Sequence, residues 1–300
     1  MREPPMPIPA RPLPSRTGLL AGGAMLAILS GCTSLTSRFD DTLERQAAAQ
    51  PLRDTSRVSE ADLARLPAPV ATYLRRADVV GRPRVHNFVV EMDARLNQGL
   101  GKPWMETPVL QVSFVERPAR LFLLKTTMKG LPVTGLHEYA DVAAHMRIRV
   151  AGLYDVVDAS GDAFTRAETV TMLNDFCIMA PAVLVDPRFS YEAVDASSAR
   201  VTFTNGPHRV TATLFFDADG DLVDFSSDDR RALPDDGDRW TTPLRAYRDF
   251  GGTRLAGEGD AIWHYRDKPP WTYGVFAIRS VRYNVPAADL PRARQLQGRR

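Results

Sequence analysis

The chain has 300 residues, of which 44% are hydrophobic and 25% are charged. This composition supplies enough apolar side chains for a large core and excludes a disordered or fibrous protein. The 38 Lys and Arg residues against 36 Asp and Glu residues leave a formal net charge of only +2. Since so small a charge creates no bulk positive field, we expect a folded globular protein without a nucleic-acid partner.

The first 31 residues have the pattern of a bacterial lipoprotein signal peptide. Three arginines precede an uncharged run, residues 17–30, whose apolar centre is shorter than the roughly 20 residues that a membrane span needs. The run ends in Leu29-Ser30-Gly31-Cys32, which resembles the bacterial lipobox. That resemblance implies cleavage before Cys32 and a lipid on its thiol, hence a protein anchored in the bacterial cell envelope, on its periplasmic or outer-membrane face. An uncleaved N-terminal anchor is the alternative.

The next segment, residues 32–58, is polar and is expected to be a tether or a short helix that lifts the domain off the membrane. Ser59 and Asp62 then form a capping-box pattern, which predicts the start of a helix. Because Pro67 and Pro69 interrupt the helical spacing, the pattern predicts a pair of helices that ends near Gly81.

From residue 84 onward the sequence indicates strands, because apolar and polar residues alternate between Gly and Pro turns. The predicted strands of the first half begin at Asn87 and continue at residues 109–116, 120–128, 133–141 and 145–157. Those of the second half are residues 200–204, 209–216, 221–227, 244–250, 253–265 and 271–283. The basic residues 285–300 are expected to form a disordered tail.

One helix interrupts the strands, at residues 165–179. It is apolar on most sides, so it must be covered on most sides. The apolar connection that follows, residues 181–187, either packs over the sheet or forms a mobile flap. About a dozen antiparallel strands with two or three helices predict an α+β fold: one large curved antiparallel sheet, an open half-barrel, with the helices packed in or over it. Residues 59–284 are expected to form this single domain.

The chemistry-bearing residues give no pattern of a catalytic, cofactor or metal site. The five histidines lack zinc-ligand spacing, and the Asp-rich run at residues 217–221 is better explained as a hairpin turn than as a calcium loop. Cys177 lies in an apolar setting that favours a buried structural thiol. A hydrolase that uses His137 or His264 with a nearby acid is the least favoured alternative.

Apolar side chains on the strands and on the long helix are the more informative feature. A curved sheet over a helix can enclose an apolar cavity, although the same residues could simply fill the core. The candidate cavity residues are Phe88, Val90, Met92, Leu110, Val112, Phe114, Phe176, Met179, Phe203 and Trp263.

Two stretches carry a resemblance to known proteins: residues 66–85, which begin LPAPVATYLRR, and residues 247–259, YRDFGGTRLAGEG. They resemble an uncharacterised bacterial family of membrane-associated domains, over residues 59–284. The pattern from Tyr247 to Tyr265 also resembles the closing strands of LolA- and LolB-type lipoprotein-localization factors. This resemblance implies a membrane-anchored, non-enzymatic carrier or binder of a lipid-like apolar ligand. The alternative is a structural or envelope-assembly lipoprotein that binds a protein partner.

Overall fold

The computed structural model describes residues 34–52, 54, 56–234 and 236–296. The predicted signal peptide and the predicted lipidation site, Cys32, lie outside these residues. The described helices are α1 (Leu35–Ala49), α2 (Glu60–Leu63), α3 (Ala68–Arg76) and α4 (Asp162–Met179). The strands are β1 (Asn87–Leu96), β2 (Met105–Phe114), β3 (Ala119–Met128), β4 (Leu131–Ala140), β5 (Ala143–Val150), β6 (Tyr154–Ser160), β7 (Phe189–Asp195), β8 (Ser198–Asn205), β9 (His208–Phe216), β10 (Leu222–Ser227), β11 (Arg239–Thr241), β12 (Leu244–Phe250), β13 (Thr253–His264) and β14 (Trp271–Tyr283).

All fourteen strands belong to one antiparallel sheet. Its order is β6-β5-β4-β3-β2-β1-β14-β13-β11-β10-β9-β8-β7, and β12 pairs with β13 beside this path. The sheet does not close, since β6 and β7 are its two ends. This architecture confirms the predicted α+β fold with one large antiparallel sheet. None of the described helices is long and apolar enough to cross a membrane.

The sheet curls around α4, which packs against β5 and β6 from one half and against β9, β10 and β13 from the other. The two halves also meet directly, because the Asn205 side-chain amide donates to the Tyr139 hydroxyl at 2.8 Å. A helix that is buried along almost its whole length needs such cover. The main core therefore lies on the concave face, between the sheet and α4.

The alternation of side chains along the strands builds a second, smaller core on the convex face. Phe88 and Val90 of β1 face the concave core. Leu110, Val112 and Phe114 of β2 face the convex side, where α1 covers them. Successive side chains of a strand point to opposite faces, so the two cores follow directly from the sequence pattern.

Helix α1 packs against the convex face instead of serving as a free tether. Leu35, Phe39 and Leu43 recur every four residues and are buried against β3 and β4. Thr42 Oγ1 donates to Glu138 Oε1 at 2.8 Å, which fixes the helix on the sheet. The overall polarity of this segment hid the apolar stripe, because the stripe occupies only one face of the helix.

The segment after β14 also differs from the expected disordered tail over its described part. Val285, Leu290, Ala293 and Leu296 are buried in the convex core beside α1. The Lys125 ammonium donates to the backbone carbonyls of residues 293 and 296. Residues 285–296 thus complete the cover of the convex face.

The observed elements differ from the predicted ones in two further respects, and the structure also decides between the two alternatives for residues 181–187. The single strand expected at residues 145–157 is the hairpin β5–β6, whose turn places Ala151 and Gly152 at positive φ, 53° and 71°. The short strands β7 and β11 were not predicted. The apolar connection at residues 181–187 was expected either to pack over the sheet or to form a mobile flap. It contains a buried 3₁₀ turn, Pro181–Val185, packed in the concave core, so the packed alternative is the one observed.

We expect Phe39→Ala to lower the free energy of unfolding by about 3–5 kcal/mol, because Phe39 is fully buried in the convex core. Urea denaturation of the full chain measures this change. Asp41→Ala is the matched control, since Asp41 is exposed on the same helix and its replacement should change stability by less than about 0.5 kcal/mol. Equal stability of the two variants would show that α1 does not pack on the sheet.

Candidate functional site

A cavity of about 560 Å³ lies between the concave face of the sheet and α4. Its wall is mostly apolar and comes from both halves of the sheet and from the helix. Apolar lining residues include Met92, Leu96, Met105, Phe122, Ile148, Phe164, Ile178, Ala261, Trp263 and Phe276. The volume falls within the range of about 300–1,000 Å³ typical of small-molecule sites.

The cavity opens at the end of the sheet where β1 ends and β2 begins. Gln98 in the β1–β2 connection and Val156 at the start of β6 line the cavity and are exposed. Pro234, in the connection between β10 and β11, lies at the same opening and is also exposed. We call this opening the mouth.

A cluster of buried charged side chains forms the polar part of the cavity wall. Arg120 of β3 donates to Asp175 of α4 at 2.6 Å and lies 3.6 Å from Glu168. Arg230, from the loop after β10, lies 3.5 Å from Glu168. Glu168 and Asp175 are seven residues apart, so α4 presents both on one face. We call Arg120, Glu168, Asp175 and Arg230 the charged cluster.

Aromatic rings shield the two guanidinium groups from water. The Arg120 guanidinium lies over the Phe122 ring at 4.5 Å from its centroid. The Arg230 guanidinium lies over Trp240 at 4.4 Å and near Trp263 at 5.3 Å. Such contacts favour a cation at the ring face, more so when it is desolvated. The cations are thereby held within an otherwise apolar wall.

The cluster sets the protonation of its two carboxyl groups in opposite directions. Burial alone would raise the pKa of Glu168, but contact with His137 and the charges of Arg230 and Arg120 outweigh burial and lower the pKa to about 2. Burial raises the pKa of Asp175 despite its contact with Arg120. Glu168 is therefore the carboxylate that stays ionised throughout the physiological range.

Members of the charged cluster also make hydrogen bonds to neighbouring side chains. The Gln111 side-chain amide donates to Asp175 at 2.8 Å, and Arg230 Nε donates to Thr171 Oγ1 at 3.0 Å. Among the described residues, Gln111 Oε1 is the only buried side-chain nitrogen or oxygen without a partner. The two guanidinium groups and the two carboxyl groups thus compensate one another.

The structure separates the ten candidate cavity residues into three groups. Met92, Met179 and Trp263 line the cavity. Phe88, Val90, Phe176 and Phe203 belong to the packed concave core but are not among the lining residues. Leu110, Val112 and Phe114 lie on the convex face, so their prediction as cavity residues is wrong. The error arose because alternation shows which residues share a face but not which face is concave.

Sequence reasoning missed the charged cluster altogether. The available signal was the pair Glu168 and Asp175, two acids within a helix that must be buried, together with Arg120 beside the apolar run of β3. A buried acid requires a cationic or hydrogen-bonding partner. That requirement could have predicted the existence of a buried pair, although not which arginines supply it.

The two histidines of the hydrolase alternative, His137 and His264, and the thiol of Cys177 lie in different environments. His137 lines the cavity and lies 4.0 Å from Glu168, whereas the His264 ring contacts the Thr241 hydroxyl at 2.8 Å. Cys177 is fully buried on α4, and burial raises the pKa of its thiol. Within the described residues, no group of three or more His, Cys, Asp or Glu side chains could hold a metal ion.

The sequence profile of one family matches residues 56–276. The chain belongs to the family of unknown function DUF6544. This membership confirms the predicted resemblance to an uncharacterised family, over nearly the expected range. A comparison with curated proteins finds no match.

Three solved structures are similar to this chain in fold. A DUF1329 family protein from Desulfovibrio piger has 11% identity and a TM-score of 0.40, with 77% of this chain and 95% of that chain covered. A putative outer membrane lipoprotein-sorting protein domain from Vibrio parahaemolyticus has 9% identity and a TM-score of 0.32, covering 66% and 86%. A LolA superfamily protein from Nitrosomonas europaea has 9% identity and a TM-score of 0.33, covering 74% and 94%.

The charged cluster predicts a specific pH dependence of stability. The pKa of Glu168 is lowered from its usual 4.5 to about 2, so its ionised form stabilises the folded state above pH 4.5 and this stabilisation is lost as the pH falls toward 2. We expect Glu168→Gln to lower the free energy of unfolding by about 3 kcal/mol at pH 7, because two buried guanidinium groups lose a carboxylate partner.

The difference in unfolding free energy between the unaltered chain and Glu168→Gln should narrow between about pH 4.5 and pH 2. Denaturation of both proteins over this range measures it. Glu192→Gln is the control, since Glu192 is exposed on β7 and should give a small difference at every pH. A difference in unfolding free energy that stays constant down to pH 2 would contradict the assigned role of Glu168.

Proposed function

We propose that this protein is a membrane-anchored, non-enzymatic binder or carrier of a lipid-like ligand, whose apolar part occupies the cavity under α4. The observation that carries the proposal is the cavity itself, about 560 Å³ between the sheet and the helix, with a mostly apolar wall and an open mouth. Transfer of an alkyl chain from water into such a cavity contributes about 0.8 kcal/mol per buried methylene.

The charged cluster restricts which part of the ligand enters deepest. Arg120 and Arg230 already face Glu168 and Asp175. An anionic head group placed there would compete with these carboxylates for the same donors and would leave a buried charge without compensation. The ligand therefore enters with its uncharged chain first, and its polar head group stays toward the mouth.

The proposal includes no reaction on the ligand, and the states of Glu168 and Cys177 support this part of it. Glu168 stays ionised because its pKa is about 2, so it is a poor proton donor near neutral pH. Burial raises the pKa of the Cys177 thiol and hides it from the cavity solvent, so the thiolate needed for nucleophilic attack is not formed.

The anchor is the second component of the proposal. The lipobox-like run that ends at Cys32 would place a diacylglycerol group just before α1 and hold the protein in the bacterial envelope. We expect radiolabelled palmitate to enter the protein when it is produced in a bacterial host, and Cys32→Ser to abolish this incorporation. Equal labelling of both chains would contradict lipidation at Cys32.

The cavity predicts how affinity changes with the length of a ligand chain. We expect a series of 1-alkanols, which carry no charge, to displace a fluorescent hydrocarbon probe with a Kd that falls about fourfold for each added methylene until the cavity is full. A competition titration with the purified chain measures the slope. A Kd that does not depend on chain length would contradict burial of the ligand in the cavity.

A cavity-filling substitution provides the matched pair for this experiment. Ala261 is buried on β13 and lines the cavity, so Ala261→Phe should reduce binding of the longer alkanols by at least about tenfold. Ala193→Phe adds the same volume at an exposed position on β7 and should leave binding unchanged. If Ala261→Phe proves unstable, Ala167→Phe tests the same cavity from α4.

A further inference from the structure

The exposed apolar side chains of the described residues are concentrated around the mouth. Nine large hydrophobic side chains are exposed, and six of them lie in or beside three hairpin turns. These six are Leu100, Trp104, Leu131, Leu153, Tyr154 and Val156. We call residues 97–104, 129–132 and 151–156 the mouth tips.

The topology places the three mouth tips at one edge of the molecule. Strands β1 to β6 are consecutive neighbours in the sheet, so the β1–β2, β3–β4 and β5–β6 turns all fall at the same end. Val156 lines the cavity and is itself exposed. The apolar surface of the tips is thus continuous with the apolar wall of the cavity.

The charge of the mouth tips suits a negatively charged surface. Lys102 and Lys129 are exposed in the first two tips. The only acidic residue of the tips, Asp155, is paired with Arg149 at 2.6 Å. Exposed aromatic and aliphatic side chains flanked by lysine are the composition that binds the interface of anionic bilayers.

The direction of α1 follows from a contact at its C-terminal end. Near its C-terminal end, Gln50 donates to the backbone carbonyl of Arg117, in the β2–β3 turn at the edge opposite the mouth. The helix therefore runs away from the mouth, and the chain enters α1 from the mouth side. The first residue of α1, Leu35, is therefore nearer the mouth than Gln50 is.

We propose that the mouth tips dock on the surface of an anionic lipid bilayer, which holds the mouth of the cavity against the membrane. The docked tips bury their apolar side chains at the level of the head groups, while Lys102 and Lys129 contact the lipid phosphates. This surface is separate from ligand binding in the cavity, so each can fail without the other.

Site-specific fluorescence on the full chain in vesicles tests this proposal. Leu153→Cys is combined with Cys32→Ser, so that one accessible thiol carries an environment-sensitive dye while the buried Cys177 stays unlabelled. The vesicles contain phosphatidylcholine and phosphatidylglycerol with quenchers on their acyl chains. All variants share the same N-terminal segment, so differences between labels report how the domain is oriented on the membrane.

We expect strong quenching of the dye at position 153 and several-fold weaker quenching of a dye at Val194→Cys, an exposed site in the β7–β8 hairpin. Lys102→Glu with Lys129→Glu should lower the quenching at position 153 by about twofold or more, as should added salt. Circular dichroism verifies that each variant is folded.

Two results would overturn the proposal. The dye at position 153 could be quenched no more than the dye at position 194, which would show that the tips do not face the bilayer. The dye at position 153 could instead change its emission equally with and without lipid quenchers in a concentration-dependent manner, which would show that a second copy of the chain covers the tips. Neither result would affect alkanol binding in the cavity.

Discussion

Helix α4 must be buried on nearly all of its sides, and this requirement determines the shape of the domain. Eighteen residues form this helix, and nearly all of them are buried, so no flat sheet packed on one side could satisfy it. The fourteen-stranded sheet curls until its two halves both contact α4, and Asn205 meets Tyr139 where they come together. The curl of the sheet, and with it the location of the cavity between the sheet and α4, follows from this requirement.

The charged cluster explains why the space beneath the helix is not filled. Apolar side chains can collapse onto one another, but Glu168 and Asp175 require partners at hydrogen-bond distance. Arg120 and Arg230 supply them from two different parts of the sheet and its loops. These contacts fix the spacing between helix and sheet, and the cavity is the volume left beside them. A buried ion network of this kind contributes more to a defined geometry than to net stability, because burial of each charge costs free energy that the pairing only partly offsets.

The sequence predicted the fold more completely than the site, for physical reasons. Strand alternation, Gly and Pro turns and the capping box at Ser59 are local signals, and the structure has strands, turns and a helix start at these places. The sequence did not predict the β5–β6 turn, because a single glycine, Gly152, within a strand pattern is equally consistent with a bulge, and Ala151 beside it adopts positive φ without any signal in its residue type. The sequence did not predict the buried apolar stripe of α1, because the polar residues of this helix outnumber its apolar ones. The charged cluster joins residues as far apart as Arg120 and Arg230, and the pairing of such residues depends on the curvature of the sheet, which no local pattern encodes.

The two faces of the sheet take different roles because they are covered differently. The convex face is covered by α1 and by residues 285–296, and Phe39 and Leu296 are buried there. The concave core contains α4, residues of α2 and α3 and the 3₁₀ turn Pro181–Val185, whereas the sheet end at Gln98 and Val156 stays open. If the mouth tips dock on a bilayer, as proposed above, the opening of the concave face lies against the membrane. A ligand chain leaving the cavity would then pass from one apolar environment to another across the mouth tips, without exposing its methylenes to water at a cost of about 0.8 kcal/mol each.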